Sequence, residues 1–351
     1  MQRWGKSAQG KSRFFCPVCK KTATPQRDDV ERRNHLEDLK EWLLGKESLS
    51  QIAAESKITR QALWKRFHQV IDLASQEPEL PDMIKTRFLI VDATYIHSHT
   101  LCALVAIDEN DKIYWKFAPY ESYRAWLSFL ASFAKPEIII MDGQKGLFAA
   151  AKTLWAKVDV QRCQFHLIAF ALQYIGRQPK EEMGKELMNI LYSLKETKSH
   201  EKKNQWIGSY LAWEKKYELF LAARDGNGRF IRPRLRSARL IIRRALPNLF
   251  TFLDHPGAPN TTNLVEGWVN SAIAEVLRWH RGIRLHEKKA LASTVLAALK
   301  RHRKATPSVM ERLRKERQVR RARFFMKRNR KKKLEAASKI DSFQLPLIPE
   351  V

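Results

Sequence analysis

The sequence has little cysteine, glycine and proline, and it lacks a long apolar run. Its 351 residues include 4 Cys, 13 Gly and 14 Pro, which excludes a disulfide-built scaffold and a collagen-like or linker-rich chain. No stretch approaches the ~18 apolar residues of a membrane span, and the basic N-terminus has no apolar signal-peptide core. We therefore expect a cytoplasmic protein without a membrane partner.

Acidic residues are also scarce relative to basic ones. The chain carries 65 Lys and Arg against 37 Asp and Glu, a formal net charge of +28. Hydrophobic residues at 44% are enough to form packed cores, which excludes a wholly disordered chain. The length allows two or three domains, and the positive charge favours nucleic acid as the partner.

The C-terminal part, 301–351, is the most basic segment. Lys and Arg make up half of residues 300–333, where the acidic residues are Glu311 and Glu316. The rest of the chain stays basic without this tail. We expect a tail that is either solvated or bound to DNA phosphates.

Helical periodicity dominates residues 29–80. VERRNHLEDLKEWLL repeats apolar residues at helical spacing, and Ser48 and Thr59 are placed to begin two further helices. The segment SLSQIAAESKITRQALWKRF resembles a helix-turn-helix, and the alternative is a plain three-helix bundle. Its expected shared core is Ile52, Ala53, Ile58 and Leu63.

The last helix of this segment carries side chains suited to reading DNA. Arg and Gln at the start of a recognition helix reach guanine and adenine edges in the major groove. The predicted DNA-binding residues are Arg60, Gln61, Lys65, Arg66 and Arg281, and Trp64 is also expected on the outer face. The arginine-rich run RPRLRSARLIIRRAL can supply further phosphate contacts from one helix face.

From residue 85 the pattern changes to that of an α/β fold. RFLIVDATYI, TLCALVAIDEND and KIYWKFAPY predict three antiparallel strands. A helix, the strand in KPEIIIMDG, a second helix and the strand in VDVQRCQFH follow. This order predicts a mixed sheet with helices on both faces. Residues 167–258 look wholly helical, and the aromatic residues spaced along them predict a core stripe rather than a stacking platform.

Two aspartates stand in apolar strands of this region. Asp92 lies within FLIVDAT, and Asp142 ends EIIIMDG. Burying a carboxylate is costly unless it is hydrogen-bonded or bound to a cation. Oxygen ligands select Mg²⁺ or Mn²⁺. For Asp142 the alternative is a turn formed together with Gly143.

A third acid, Glu266, lies in PNTTNLVEGWVN. Because it stands three residues after Asn263, one interpretation is a helix cap in which Glu266 folds back to the helix start. Asn270, four residues further on, shares the helical face of Glu266 and is placed to support its carboxylate or to touch DNA.

Taken together, these motifs resemble the DDE transposases of bacterial insertion sequences, in particular the Mutator-like group. The resemblance rests on FLIVDAT, IIIMDGQKGL, RCQFHL and TTNLVEGWVN, in that order, over residues 85 to about 300. It implies a ribonuclease-H-like mixed sheet with an all-α insertion, preceded by a helix-turn-helix domain. It also implies that Asp92, Asp142 and Glu266 are catalytic and hold two Mg²⁺ or Mn²⁺ ions.

The predicted organisation has six parts. In chain order they are a partial zinc-ribbon-like segment (1–28), a helix-turn-helix DNA-binding domain (29–80), the first part of the catalytic core (85–166), an all-α insertion (167–258), the core helix with Glu266 (259–300) and the basic tail (301–351).

Two cysteine motifs resemble incomplete metal sites. Cys16 and Cys19 match the second half of a zinc ribbon whose first pair is missing, so we expect no stable Zn²⁺ there, although another chain would be able to complete the site. Cys163 and His166 form the Cys-x-x-His pair that the resemblance implies. Without two further ligands, we interpret them as a buried thiol and a hydrogen-bonded imidazole that support the site.

The resemblance implies a transposase that cleaves DNA at insertion-sequence ends and transfers the strands to target DNA. Its partners would be double-stranded terminal repeats and target DNA, and pairing two ends implies a homodimer or higher oligomer at the bacterial nucleoid. Two alternatives stay open: a catalytically inactive DNA-binding repressor derived from a transposase, and a ribonuclease-H-like nuclease that cuts without joining.

Overall fold

A computed structural model of the chain describes residues 2–8, 10, 12–23, 28–45 and 47–301. The chain divides into two compact units, with the boundary in sequence between Val70 and Ile71. The basic tail predicted over 301–351 lies outside the described residues, apart from Arg301.

The N-terminal unit begins with a small antiparallel sheet. Its strands are β1 (Gln2–Lys6), β2 (Ser12–Phe15) and β3 (Thr22–Ala23), in the order β1-β2-β3. The turn between β2 and β3 carries Cys16, which is half-buried, and Cys19, which is exposed. Among the residues the structure describes, no third metal-ligating side chain joins this pair.

Three helices complete this unit, and their starts follow from capping. They are α1 (Asp28–Leu44), α2 (Leu49–Glu55) and α3 (Arg60–His68). Ser48 and Gln51 form a capping box at α2, and the Thr59 hydroxyl accepts a hydrogen bond from the Ala62 N–H at α3. Both predicted helix starts are confirmed. Of the expected core, Ile52, Ala53 and Leu63 are buried and Ile58 is half-buried.

Helix α3 differs from its prediction in two ways. Trp64 does not point fully outward: its ring packs edge-on against Trp42 at 6.0 Å between centroids, because a large indole gains more from apolar contact than from water. The spacing of RQALWKRFHQVIDLA predicts one helix to Ala74, but α3 ends at His68 and Ile71–Ala74 forms the separate short helix α4. Arg60, Gln61 and Lys65 are exposed and Arg66 is half-buried.

The second unit is built on a five-stranded mixed sheet. Its strands are β4 (Phe88–His97), β5 (Leu101–Asp108), β6 (Ile113–Ala118), β7 (Ile138–Met141) and β8 (Asp159–Arg162). The order is β6-β5-β4-β7-β8, with β4, β5 and β6 antiparallel and β7 and β8 parallel to β4. The predicted mixed sheet is confirmed.

Alternate side chains of each strand point to the same face of the sheet, and helices pack against these side chains. Leu89 and Val91 share a buried cluster with Trp126 of α5 (Tyr123–Leu130) and Leu147 of α6 (Lys145–Leu154). Helix α13 (Leu285–Arg301) also contacts β4, β5 and β6. Asp92 lies on the strand face opposite to Leu89 and Val91, because successive strand residues alternate in direction.

An all-helical block follows β8 and has its own core. It contains α7 (Gln164–Ile175), α8 (Glu182–Ser193), α9 (His200–Lys216), α10 (Glu218–Ala222) and α11 (Pro233–Ala245). The stripe Trp206, Tyr210, Trp213 and Tyr217 is buried, which confirms the prediction of a core stripe, whereas its last member, Phe220, is 52% exposed.

The chain then returns to the sheet. Short 3₁₀ turns at Leu246–Asn248 and Thr251–Asp254 precede a π-helical segment, Val265–Asn270, and helix α12 (Ser271–Trp279). None of the helices within the described ranges has the length and apolar character needed to cross a bilayer.

Candidate functional site

Two neighbouring parallel strands place Asp92 and Asp142 at the same level of the sheet. Ile90 of β4 pairs with Ile140 of β7. Asp92 stands two residues beyond Ile90, and Asp142 stands two residues beyond Ile140. The Asp142 carboxylate accepts a 2.8 Å hydrogen bond from the Gln144 N–H. The turn-forming role considered for Asp142 is therefore present, and the residue still lies beside Asp92.

Asp92 is a buried carboxylate with few hydrogen-bond donors. Its side chain accepts a hydrogen bond of 2.9 Å from the N–H of Ala93. Burial raises the pKa of Asp92 to about 7; the charge of His166 opposes this rise, and the nearby acids add to it. An acid in this environment favours a proton or a cation as its partner.

Glu266 reaches the same place from a π-helical turn. The Ser271 N–H donates to the Glu266 carbonyl, a five-residue step that is wider than the α-helical one. The Thr94 hydroxyl donates to the Asn270 side-chain oxygen, and Thr94 stands two residues after Asp92 on the same face of β4. This contact attaches the helix to the strand next to Asp92.

Cys163 connects the end of the sheet to the segment before Glu266. Its buried Sγ accepts hydrogen bonds from the Thr262 N–H at 3.2 Å and from the His166 N–H at 3.5 Å. Burial alone would raise the pKa of Cys163, but hydrogen bonds from the side chains of His166 and Thr262, and then from their N–H groups, lower it. A second link nearby joins the Gln164 N–H to the Asn260 carbonyl at 3.1 Å. Segments about a hundred residues apart are thereby fixed together.

His166 lies close to both Asp92 and Glu266. Its Nε2 is 2.6 Å from Glu266 Oε1, and its Nδ1 is 3.3 Å from the Thr262 hydroxyl. Burial acts to lower the pKa of His166, but Cys163 and the two carboxylates raise it to about 9. The imidazole therefore favours its charged form and holds the Glu266 carboxylate in place.

Asp92, His166 and Glu266 together form a set of metal-binding donors. One ligand atom from each lies within 4.8 Å of the others. In the part of the chain that the structure describes, they are the one such group of three. The two carboxylates suit a divalent cation such as Mg²⁺ or Mn²⁺, and the small number of donors around Asp92 fits that cation. The charged form of His166 has no lone pair for a metal ion and acts as a hydrogen-bond donor to Glu266.

The predicted site residues are not all brought together. Asp92 and Glu266 are adjacent, and the Glu266 carboxylate reaches His166 across the site. Asp142 lies beside this group but supplies no atom to it. Cys163 and Asn270 support the site from behind, whereas Asn263 and Arg281 are exposed.

Three residues of this region were not expected. Thr94 and Thr262 anchor the two segments that meet here. Burial raises the pKa of Glu121 to about 7; the charge of Asp142 adds to the rise, and Trp126 and His166 oppose it. The sequence gives little signal for Glu121, since it stands directly before Ser122, the cap of α5, where an acid is ordinary.

A comparison with known families finds a match over part of the chain. Residues 85–227 match the family model described as Transposase, Mutator family. The match runs from the strand with Asp92 through helix α10 and ends before Glu266. The resemblance to Mutator-like transposases is thereby confirmed. A comparison with curated proteins found no match.

Proposed function

We propose that the chain cleaves DNA at insertion-sequence ends and transfers the strands to target DNA, because residues 85–227 match the model of the Mutator family of transposases. The observation that carries this proposal is the meeting of Asp92, Glu266 and His166 within 4.8 Å. The order of the five strands, with Asp92 on the central one, supports a ribonuclease-H-like core.

Asp92 and Glu266 would hold the divalent cations, with Asp142 as the third acid from the adjacent strand. Such ions, when bound, supply activation of the attacking oxygen and stabilisation of the leaving one. His166 positions the Glu266 carboxylate through their 2.6 Å contact. Asn270 and Thr94 keep the helix of Glu266 against β4. The site is thus assembled from strand, helix and loop by side chains outside the acid set.

DNA recognition is proposed for α2 and α3, as a helix-turn-helix. Arg60, Gln61 and Lys65 lie on the exposed face of α3, where they are free to approach the edges of bases. The net charge of +28 supports phosphate contacts elsewhere on the chain. Pairing two element ends would need at least a dimer.

The proposal is tested by a strand-transfer assay with labelled duplexes that carry the ends of the encoding element. With Mg²⁺ or Mn²⁺ we expect cleaved ends and joined products. Cleavage without joining would instead indicate a nuclease, and binding without cleavage would indicate a repressor.

Acid variants then test the site itself. Asp142→Asn and Glu266→Gln should each remove the products while DNA binding persists. Full activity of Glu266→Gln would show that this side chain has another role and that a different acid completes the site.

A further inference from the structure

A second polar site lies beside Asp142, outside the acid cluster. A cavity of about 240 Å³ opens at the ends of β7 and β8, between α6 and α11. Its polar lining consists of Gly143, Lys145, Arg162, Arg244 and Asn248, and the remaining lining is apolar. Three cationic side chains therefore converge on one small cavity, and none of the lining residues is acidic.

Arg162, the last residue of β8, is the most constrained of these cations. Its Nη1 is buried and has no hydrogen-bond partner among the residues that the structure describes. A buried guanidinium N–H without an acceptor is costly. Gly143 makes room for it, since a Cβ there would lie 1.2 Å from Nη1. The absence of a side chain at Gly143 thus leaves space for Arg162, whose Nη1–H group is available to an acceptor in the cavity.

Arg244 differs from the other arginines of the run RPRLRSARLIIRRAL. Arg232 pairs with Glu181, and Arg239 and Arg243 pair with Glu214. Arg234 and Arg236 donate to backbone carbonyls. Most guanidinium groups of this run therefore have partners within the helical block, and the phosphate contacts expected from one helix face stay a prediction. Arg244 instead lines the cavity.

The start of α6 adds to the positive field. Lys145 is the first residue of this ten-residue helix, whose N-terminal end favours anions through its free N–H groups and its dipole. The Gln144 side chain occupies one of those groups, the Leu147 N–H, at 2.6 Å. The helix terminus and the three cations thus act on the same small volume.

We propose that this cavity binds a phosphate group of the DNA backbone next to the acid cluster. The inference rests on the proposed function, since it takes DNA as the substrate. Two guanidinium groups offer the forked donors that match phosphate oxygens. A phosphate held here would place the DNA strand beside Asp142, and so close to the acids that act on it.

Neighbouring arginines on α11 provide a matched test. Arg244→Gln and Arg243→Gln each remove one positive charge from the same exposed turn, but Arg243 is paired with Glu214 at 3.4 Å. Binding of the full chain to a labelled duplex is measured against salt concentration, with chelator present so that no cleavage occurs. We expect Arg244→Gln to weaken binding and to lower the salt slope by about 1, and Arg243→Gln to change the slope much less.

A second variant adds charge without removing a cation. Asn248→Asp places a carboxylate in the lining and should weaken DNA binding at least as much as Arg244→Gln. Equal effects of Arg244→Gln and Arg243→Gln, or no effect of Asn248→Asp, would overturn the cavity proposal. The proposed function would survive that result as long as the wild-type chain still binds and cleaves DNA.

Inorganic phosphate is the remaining arm of the test. In calorimetry with phosphate alone, we expect weak binding that Arg244→Gln removes, together with the loss of DNA affinity. Phosphate binding that is lost in Arg244→Gln while DNA binding is unchanged would mean that the cavity takes a free phosphate, and the proposal would be wrong.

Discussion

Two buried aspartates on adjacent strands show how differently one fold treats the same side chain. Asp92 of β4 and Asp108 of β5 are 8% and 6% exposed. Asp108 accepts hydrogen bonds from the N–H groups of Asn110 and Lys112, both at 2.9 Å, and from the Tyr114 hydroxyl at 3.1 Å. In the described structure, Asp92 has the Ala93 N–H and the nearby charge of His166.

The difference follows from where each residue stands. Asp108 ends its strand at a turn, where free N–H groups are available to a carboxylate. Asp92 lies in the middle of a strand, where the Ala93 N–H is the backbone donor to its carboxylate. A buried carboxylate that accepts three hydrogen bonds has a structural role, whereas a buried carboxylate with few donors that faces another acid is suited to bind a cation.

Neutralising each aspartate should have the largest effect on DNA cleavage, and the effect should differ between the two positions. Asp92→Asn should lower the rate by at least about 10²–10³-fold, the loss typical of removing one group from a preorganised electrostatic site. Asp108→Asn, its matched control, should keep most of the activity of the folded fraction. Similar losses in both variants would contradict the distinction.

Removing the imidazole of His166 tests the site at its second acid, Glu266. His166→Gln should lower activity or cation affinity by about 10–100-fold, as expected for a residue that orients a ligand. The control is His255→Gln, because His255 makes a similar contact with Asp159 at 2.9 Å outside the site. Higher cation affinity in His166→Gln would show that the imidazole competes with the cation and does not position Glu266.

The order of the two variants should be reversed for stability: Asp108→Asn should lower the free energy of unfolding more than Asp92→Asn does. Asp108→Asn should lower the free energy of unfolding by about 1–3 kcal/mol, because an amide cannot accept all three hydrogen bonds. Asp92→Asn should cost little or nothing in metal-free buffer, since it removes a charge that burial disfavours. Denaturant unfolding followed by tryptophan fluorescence measures both. A larger loss in Asp92→Asn would refute the assignment of Asp108 as the structural acid.

The smallest expected effect concerns the attachment of the Glu266 helix. Asn270→Ala removes the partner of Thr94 and should weaken the attachment of this helix to β4 by about 0.5–1.5 kcal/mol. We expect this loss to appear as a modest rise in the Mg²⁺ concentration needed for cleavage. Asn263→Ala, at an exposed position near the start of the same helix, should leave that concentration unchanged. Equal behaviour of the two variants would remove the support role of Asn270.

Local patterns in the sequence predicted much of the fold. Ser48 and Thr59 begin helices because capping depends on residues within one turn, and the apolar runs around Asp92 and Asp142 form strands for a similar reason. The mixed sheet followed from the order of these elements. The predicted side-chain direction of Trp64 was wrong, because it depends on a contact with Trp42 that local periodicity does not describe.

The acids of the site could be predicted from the sequence, but the contacts between their side chains could not. Asp92 attracted attention because a carboxylate interrupts an apolar run. The pairing of His166 with Glu266 depends on two segments a hundred residues apart, joined through Cys163 and Thr262, and no spacing rule reports such a link. Arg244 could not be singled out from the sequence either. It is distinguished from the neighbouring arginines by their ion pairs and hydrogen bonds, which only the structure shows. The place of Asp142 among the ligands stays a prediction.

The central claim, that the acids around Asp92 bind a divalent cation, is tested most directly by titrating the full chain with Mn²⁺ in a calorimeter. We expect saturable binding to the wild-type chain and to Asp108→Asn, and loss of that binding in Asp92→Asn. Equal Mn²⁺ binding by Asp92→Asn and the wild-type chain would contradict it.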